Sequence, residues 1–157
     1  MKMVNKVDIF GVVIQNTTLV DVVENLRENL RSKKKTIIYT PNTEIVMAAK
    51  RDERLKGIIN EGDIVIPDGI GILHGAKLKG ITIKERVTGF DTSMELLKLA
   101  NENGYRLYLL GGKDGVGHKA VENLSRNYPG ISISGHHHGY FKGSHFNGEF
   151  SETENLI

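Results

Sequence analysis

The sequence predicts an α/β fold: a mainly parallel, Rossmann-like sheet flanked by helices, with a short N-terminal β segment. The β-branched runs Ile37-Ile38-Tyr39-Thr40 and Ile64-Val65-Ile66 each end in a proline and a polar residue, Pro41-Asn42 and Pro67-Asp68. Helix-like segments lie between them, which is the pattern of buried parallel strands joined by crossovers. Proline has no N–H to give a ladder, so each strand stops there. Ligands of open α/β sheets sit beyond the carboxyl ends of the strands. Thr40, Asn42 and Asp68 are therefore expected on one rim, with Asp68 the only carboxylate among them.

Residues 7–14 read as one or two short strands broken at Gly11. Thr17 or Thr18 caps a helix whose Leu19, Val22, Val23, Leu26 and Leu30 fall at helical spacing. A strand over 36–40 follows, then helices over 43–50 and 52–60, the second with Leu55, Ile58 and Ile59 facing inward. Gly62 ends that unit and 64–66 is the next strand. Residues 69–77 form a short helix, and the polar, basic stretch 79–88 is loop. Asp91 or Thr92 caps a helix carrying Met94, Leu97, Leu99 and Ala100, which closes at Asn103-Gly104. Residues 105–110 are a third buried strand, 114–127 a helix and 131–134 a fourth strand. This alternation implies right-handed crossovers. No repeat, low-complexity tract or linker interrupts it, so residues 1–157 are expected to be a single domain. Near the end, Ser151-Glu152-Thr153-Glu154 fits a capping box with three residues after it. The expectation is a helix announced and cut off, as in a chain lacking its C-terminal part.

Composition narrows the function classes. At 39% hydrophobic and 25% charged residues the chain is ordinary for a globular protein, and no apolar stretch is long enough to span a bilayer. Lys2 and Lys6 flank no apolar leader, and the expected location is cytoplasmic. The absence of cysteine excludes disulfides, a thiolate zinc site and a cysteine nucleophile. A net charge of +2 is too small to imply nucleic-acid binding. Two basic runs, Arg31 with Lys33, Lys34 and Lys35, and Lys77, Lys79, Lys84 and Arg86, are either solvated helix ends and loops or contacts for an anionic membrane surface or a phosphate.

Four motifs bear chemistry, each with an alternative. Leu110-Gly111-Gly112-Lys113-Asp114-Gly115-Val116-Gly117 is a strand, a glycine turn and a helix start. It is either a phosphate-contacting turn or a plain tight turn. Gly112 and Gly117 have P-loop spacing, but His118-Lys119 stands where Lys-Ser/Thr is required. The dinucleotide fingerprint also fails, because His74 stands where a third glycine should follow Gly69 and Gly71. Of His136-His137-His138, alternate side chains share a face, so two at most could serve one ligand. With no second ligand cluster, a metal site is not expected. Tyr140 either stacks on a base or sugar or is a half-buried core aromatic. Arg86 either grips a diphosphate or pairs with Asp91. Asp68 is either a functional acid or a helix N-cap, Asn42 either a ligand contact or a turn residue, and Thr40 either a pocket hydroxyl or a backbone partner.

Thr40-Pro41-Asn42, Pro67-Asp68-Gly69-Ile70-Gly71, Arg86-Val87-Thr88-Gly89-Phe90-Asp91, Leu110-Gly111-Gly112 and His138-Gly139-Tyr140-Phe141, in this order, resemble the WecG/TagA/CpsF family of bacterial glycosyltransferases. The resemblance runs over about residues 7–141. It is closest to the teichoic-acid linkage-unit enzymes, and so implies inverting transfer of N-acetylmannosamine from a UDP donor to undecaprenyl-diphosphate-linked N-acetylglucosamine, forming a β-linkage. It implies a peripheral enzyme on the inner face of the cell membrane. On these positions Asp68 falls on the family's proposed catalytic aspartate, with Thr40 beside it. Thr40 and Asn42 fall on the polar pocket around the transferred sugar, Arg86 and the Gly111-Gly112 turn on diphosphate and nucleotide contacts, and Tyr140 belongs to the last matching motif as a candidate substrate contact. No Asp-x-Asp occurs, so a metal-independent reaction without a cofactor is expected. The resemblance implies a further αβ stretch and a basic tail, which this chain is expected to lack, and an apolar surface uncovered in that way would favour homo-oligomers. The competing readings are a non-catalytic nucleotide- or phosphosugar-binding module and, weakened by the absent fingerprint, an NAD-type oxidoreductase.

Overall fold

The computed structural model describes residues 5–140. Phe141 and the Ser151-to-Glu154 capping box lie outside the described residues. The fold is α/β: among the described residues, six helices accompany strands that pair as three two-stranded ladders, one antiparallel and two parallel. None of these helices is long and apolar enough to cross a membrane. The chain divides into two compact units between Leu96 and Leu97.

In the first unit, β1 (Lys6–Ile9) and β2 (Val12–Gln15) form a hairpin with Ile9 opposite Val12. Its two-residue turn, Phe10-Gly11, has positive φ at both positions, 54° and 89°. That is a type I′ turn, whose twist matches the strands. The break expected at Gly11 is this turn. Alternation buries Val7, Ile9, Val12 and Ile14 on one face.

Helix α1 (Leu19–Arg31) starts at Thr18, whose Oγ1 accepts from the Asp21 amide at 3.2 Å. Its inner face is Val22, Val23 and Leu26. Then β3 (Ile38–Tyr39) pairs in parallel with β4 (Ile64–Val65), Ile38 opposite Ile64 and Tyr39 opposite Val65. The ladder is shorter than the runs that predict it, since Pro41 and Pro67 close both strands. Flanking bonds from Ile64 N to Ile37 O (3.1 Å) and Ile66 N to Tyr39 O (3.0 Å) extend it by a residue each way.

Between these strands lie α2 (Thr43–Ala49) and α3 (Glu53–Asn60), capped by Asn42 and Asp52. Leu55 and Ile59, four apart, meet the core, but Ile58 is 43% exposed, contrary to the sequence expectation. It lies about 60° from Leu55 and about 100° from Ile59 around the helix, at the edge of that stripe. Ile64 and Ile66 pack with Val22, Leu26 and Val87, while Val65 packs with Val46, Ile59, Ile72 and the hairpin. Both faces of β4 are therefore covered, as for a buried parallel strand. Each fully buried Ile or Val here contributes about 1.5–3 kcal/mol.

After β4 comes α4 (Ile70–Leu78), then an irregular loop over 79–88, as expected from its polarity. Buried Asn16 holds that loop: its Nδ2 donates to Thr82 O at 2.9 Å and its Oδ1 accepts from Lys84 N at 2.8 Å. Farther on, a Glu85 carboxylate oxygen accepts from Leu19 N, the first amide of α1, at 3.2 Å. The loop thus enters α5 (Gly89–Asn103) from a fixed direction.

In the second unit, β5 (Arg106–Leu110) and β6 (Ser132–His137) are parallel, with a register shift between Leu107 and Tyr108 that leaves Ser134 bulged. Helix α6 (Val116–Asn127) connects them. It begins two residues later than predicted, because Gly115 takes a left-handed φ of 79°. The fourth strand runs longer than predicted and takes in His136 and His137. The third strand is not buried as expected: its residues alternate exposed and half-buried, and Leu110 is 55% exposed. Among the described residues β6 is its sole ladder partner.

Candidate active site

The tips of β3 and β4 lie side by side. Asp68 N donates to Pro41 O at 3.3 Å, which ties one strand end to the other. Just before Pro41, half-buried Thr40 points at the same space as half-buried Asp68. Both line a pocket of about 430 Å³, with Gly89, Phe90, Thr92 and Ser93 opposite them. Ile38 and Leu96 supply apolar lining. The rim predicted from the two proline-terminated strands is thus a cavity, and the sequence-predicted acid lines it.

The second wall is the first turn of α5. Thr88, not Asp91 or Thr92, occupies the cap position, so the helix begins earlier than predicted. Thr88 Oγ1 accepts from Asp91 N at 2.9 Å and donates to Asp91 Oδ2 at 2.6 Å. With the turn fixed this way, the Gly89 amide donates to Asp68 Oδ2 at 3.1 Å. Asp68 is not the cap of its own helix: Gly69, at φ 95°, precedes α4 without a side-chain cap. Its carboxylate instead serves the N-terminus of α5, where amides and helix dipole favour an anion. Among the described residues Oδ1 takes no hydrogen bond, and Asp68 is the only charged side chain in the lining.

Gly89 also permits close packing. A Cβ there would lie 3.0 Å from Thr40 Oγ1 and 3.1 Å from its Cγ2. In the rest of the wall, the Thr92 hydroxyl donates to Thr88 O at 2.8 Å and the Ser93 hydroxyl to Gly89 O at 2.7 Å. Both hydroxyl oxygens keep acceptor capacity.

The remaining predicted residues stand elsewhere. Asn42 does not line the pocket; its Oδ1 accepts from Ile45 N at 3.0 Å as the cap of α2. It remains close to the rim, since a Cβ on Gly69 would lie 3.9 Å from Asn42 Cβ. Arg86 is exposed and absent from the lining, and among the described residues no ion pair joins it to Asp91.

The second unit carries the other three. Gly111 and Gly112 have φ of 126° and 75° in the turn after β5. Gly111 N donates to His137 O at 3.0 Å and Gly139 N to Gly112 O at 2.9 Å, so the turn is sewn to the end of β6. Tyr140 is 65% exposed, which disposes of the core alternative. His138 Nδ1 accepts from the Tyr140 amide at 3.1 Å. Among the described residues no three His, Asp or Glu side chains are grouped to hold a metal.

Sequence reasoning missed the α5 wall: Gly89, Phe90, Thr92 and Ser93. The available signal was Thr88-x-x-Asp91, a cap pattern three residues ahead of the assigned one. It would have started the helix at Gly89.

Residues 7–156 match the model of the Glycosyl transferase WecG/TagA/CpsF family. An N-acetylglucosaminyldiphosphoundecaprenol N-acetyl-beta-D-mannosaminyltransferase of Staphylococcus aureus (strain MRSA252) is 35% identical over 137 residues, covering 86% of this chain and 54% of that protein. The protein of the same name from strain NCTC 8325 / PS 47 is 34% identical over the same length. The chain spans about half the length of the curated relatives it matches.

Proposed function

The chain belongs to the WecG/TagA/CpsF glycosyltransferase family, and on that premise we propose that it serves an inverting hexosaminyl transfer in which Asp68 is the general base. The donor is a UDP-linked N-acetylhexosamine, N-acetylmannosamine by the names of the relatives. The acceptor is N-acetylglucosamine on undecaprenyl diphosphate. Such an acceptor is anchored in a bilayer, so the protein works peripherally at the cytoplasmic membrane face.

One observation carries the reading: Asp68 and Thr40 line the same pocket, and Asp68 Oδ1 is free to receive a proton. The volume falls in the range of about 300–1,000 Å³ typical of small-ligand sites. In an inverting transfer the acceptor hydroxyl attacks the anomeric carbon while UDP leaves from the opposite face. The hydroxyl proton passes to Asp68 Oδ1, and a base so placed typically contributes about 10²–10⁴-fold. The hydrogen bond from Gly89 fixes the carboxylate's rotation, so the free oxygen is presented in one direction. Thr40 orients the sugar. Arg86 and the Gly111-Gly112 turn keep the diphosphate and nucleotide roles that the family resemblance gives them, without a metal.

The test is transfer from a panel of UDP-sugars to a polyprenyl-diphosphate N-acetylglucosamine acceptor, by this chain and by the Staphylococcus aureus relative, each with and without the Asp→Asn change at Asp68 or its equivalent. A loss of about 10²-fold or more with donor binding retained supports the assignment. Transfer within a few-fold of the unchanged protein overturns it. Calorimetric binding of UDP-sugar without turnover in either protein would favour a binding module instead.

A further inference from the structure

We propose that Phe90 is the platform on which the apolar face of a pyranose ring is held beside Asp68. The inference rests on the transferase reading and adds the residue that selects for a sugar. Phe90 lines the pocket yet is 73% exposed. Among the described residues its ring meets no other ring and no cation. Phe10, the other exposed phenylalanine of the same unit among the described residues, is 40% exposed and has Lys50 Nζ and Lys79 Nζ each 5.0 Å from its ring centroid. An aromatic of this size left in water at a pocket forgoes hydrophobic burial that a ligand can recover.

Position and surroundings specify the ligand. Phe90 directly follows Gly89, whose amide holds Asp68, so consecutive Cα atoms about 3.8 Å apart carry the ring and the anchor of the acid. The remaining lining contains no Lys or Arg. It offers a free carboxylate oxygen and the hydroxyl oxygens of Thr92 and Ser93, whose protons are already given to backbone carbonyls. Acceptors around one aromatic face suit a ligand with hydroxyl donors at its rim and C–H groups on its face. That is an uncharged pyranose. A diphosphate needs several donors and cations, and among the described residues the side chains of this pocket supply no cation and only the Thr40 hydroxyl as an uncommitted donor. The pyranose belongs either to the donor or to the acceptor, since both carry an N-acetylhexosamine.

The chain contains no tryptophan, so Phe90→Trp places a single tryptophan, excited selectively over the tyrosines, at the platform. It is titrated with UDP, with UDP-N-acetylhexosamine and with a short-chain prenyl-diphosphate N-acetylglucosamine. The platform predicts an emission change with a sugar-bearing ligand and none with UDP; the ligand that produces it identifies the source of the sugar. Calorimetry on the unchanged chain, Phe90→Ala and Phe90→Tyr completes the test. Alanine should weaken sugar-ligand binding about tenfold and tyrosine by less than about threefold, with melting temperature unchanged because the ring is exposed. Equal binding by Phe90→Ala, or an emission change as large with UDP alone, overturns the platform while leaving the transferase reading in place. If the unchanged chain binds no sugar ligand, the reading beneath it falls and the platform with it.

Discussion

The Gly89 amide donates to Asp68 Oδ2 at 3.1 Å, joining the first residue of α5 to the acid that follows β4 across 21 positions of sequence. The candidate site is therefore a joint between a strand end and a helix start. Its geometry depends on both being held.

Gly89→Ala tests that joint. The added methyl would sit 3.0–3.3 Å from three atoms of Thr40, whose β-branched side chain has little freedom to turn aside. Alanine favours the helix by up to about 1 kcal/mol, which offsets the crowding. Thermal stability should stay within about 1 kcal/mol of the unchanged protein, while transfer or sugar binding falls by about tenfold or more through displacement of Thr40 and Asp68. A variant that binds normally would show that the close approach is incidental.

Asn42 has a cap role that separates from any ligand role. Asn42→Ala should cost about 1 kcal/mol in a urea melt, and Asn42→Asp almost nothing, because aspartate caps equally well. If the side-chain amide also donates to the sugar, Asn42→Asp weakens UDP-sugar binding at unchanged stability. Calorimetry on the two variants reads the difference.

Asn16→Ala removes both hydrogen bonds that hold loop 79–88. The Lys84 amide and the Thr82 carbonyl lose partly buried hydrogen bonds, at about 0.5–1.5 kcal/mol each. The urea midpoint should drop accordingly. Amide hydrogen exchange should accelerate in residues 79–88 more than in β1 and β2. Uniform acceleration would mean that Asn16 stabilises the fold without organising the loop.

Phe10 sits at φ 54°, where a side chain costs about 1–2 kcal/mol. Phe10→Ala keeps that strain and loses two lysine contacts worth about 0.5–1 kcal/mol each at an exposed site. Phe10→Gly loses the same contacts and relieves the strain. The glycine variant should be about 1 kcal/mol more stable than the alanine variant in denaturant titration. Equal stability would indicate that the turn relaxes to another type.

Local chemistry made part of this legible in the chain. The proline-terminated β-branched runs set where β3 and β4 stop, so Thr40 and Asp68 could be assigned to one rim before any coordinates. Thr18, Asn42 and Asp52 belong to the residue types that cap helices, and each starts the helix it was expected to start or adjoin. Ile58 shares the i, i+3, i+4 spacing that admits it to an inner stripe with Leu55 and Ile59, but tertiary packing turns that stripe so that Leu55 and Ile59 meet the core and Ile58 stays at its exposed edge. The cap of α5 was misplaced because Thr88, Asp91 and Thr92 are all competent caps.

By itself, then, the sequence determined what short-range rules govern: the α/β alternation, the proline-set ends of β3 and β4, the existence of each helix and the acid at the rim. Tertiary structure alone decided which element would face that acid. Capping and periodicity act over a few residues, whereas the Gly89-to-Asp68 bond, the Asn16 clamp and the exposure of Phe90 depend on segments 21 to 68 positions apart. Those distances close only when Ile64, Ile66 and Val87 pack against α1 and bring the start of α5 to the tips of the strands.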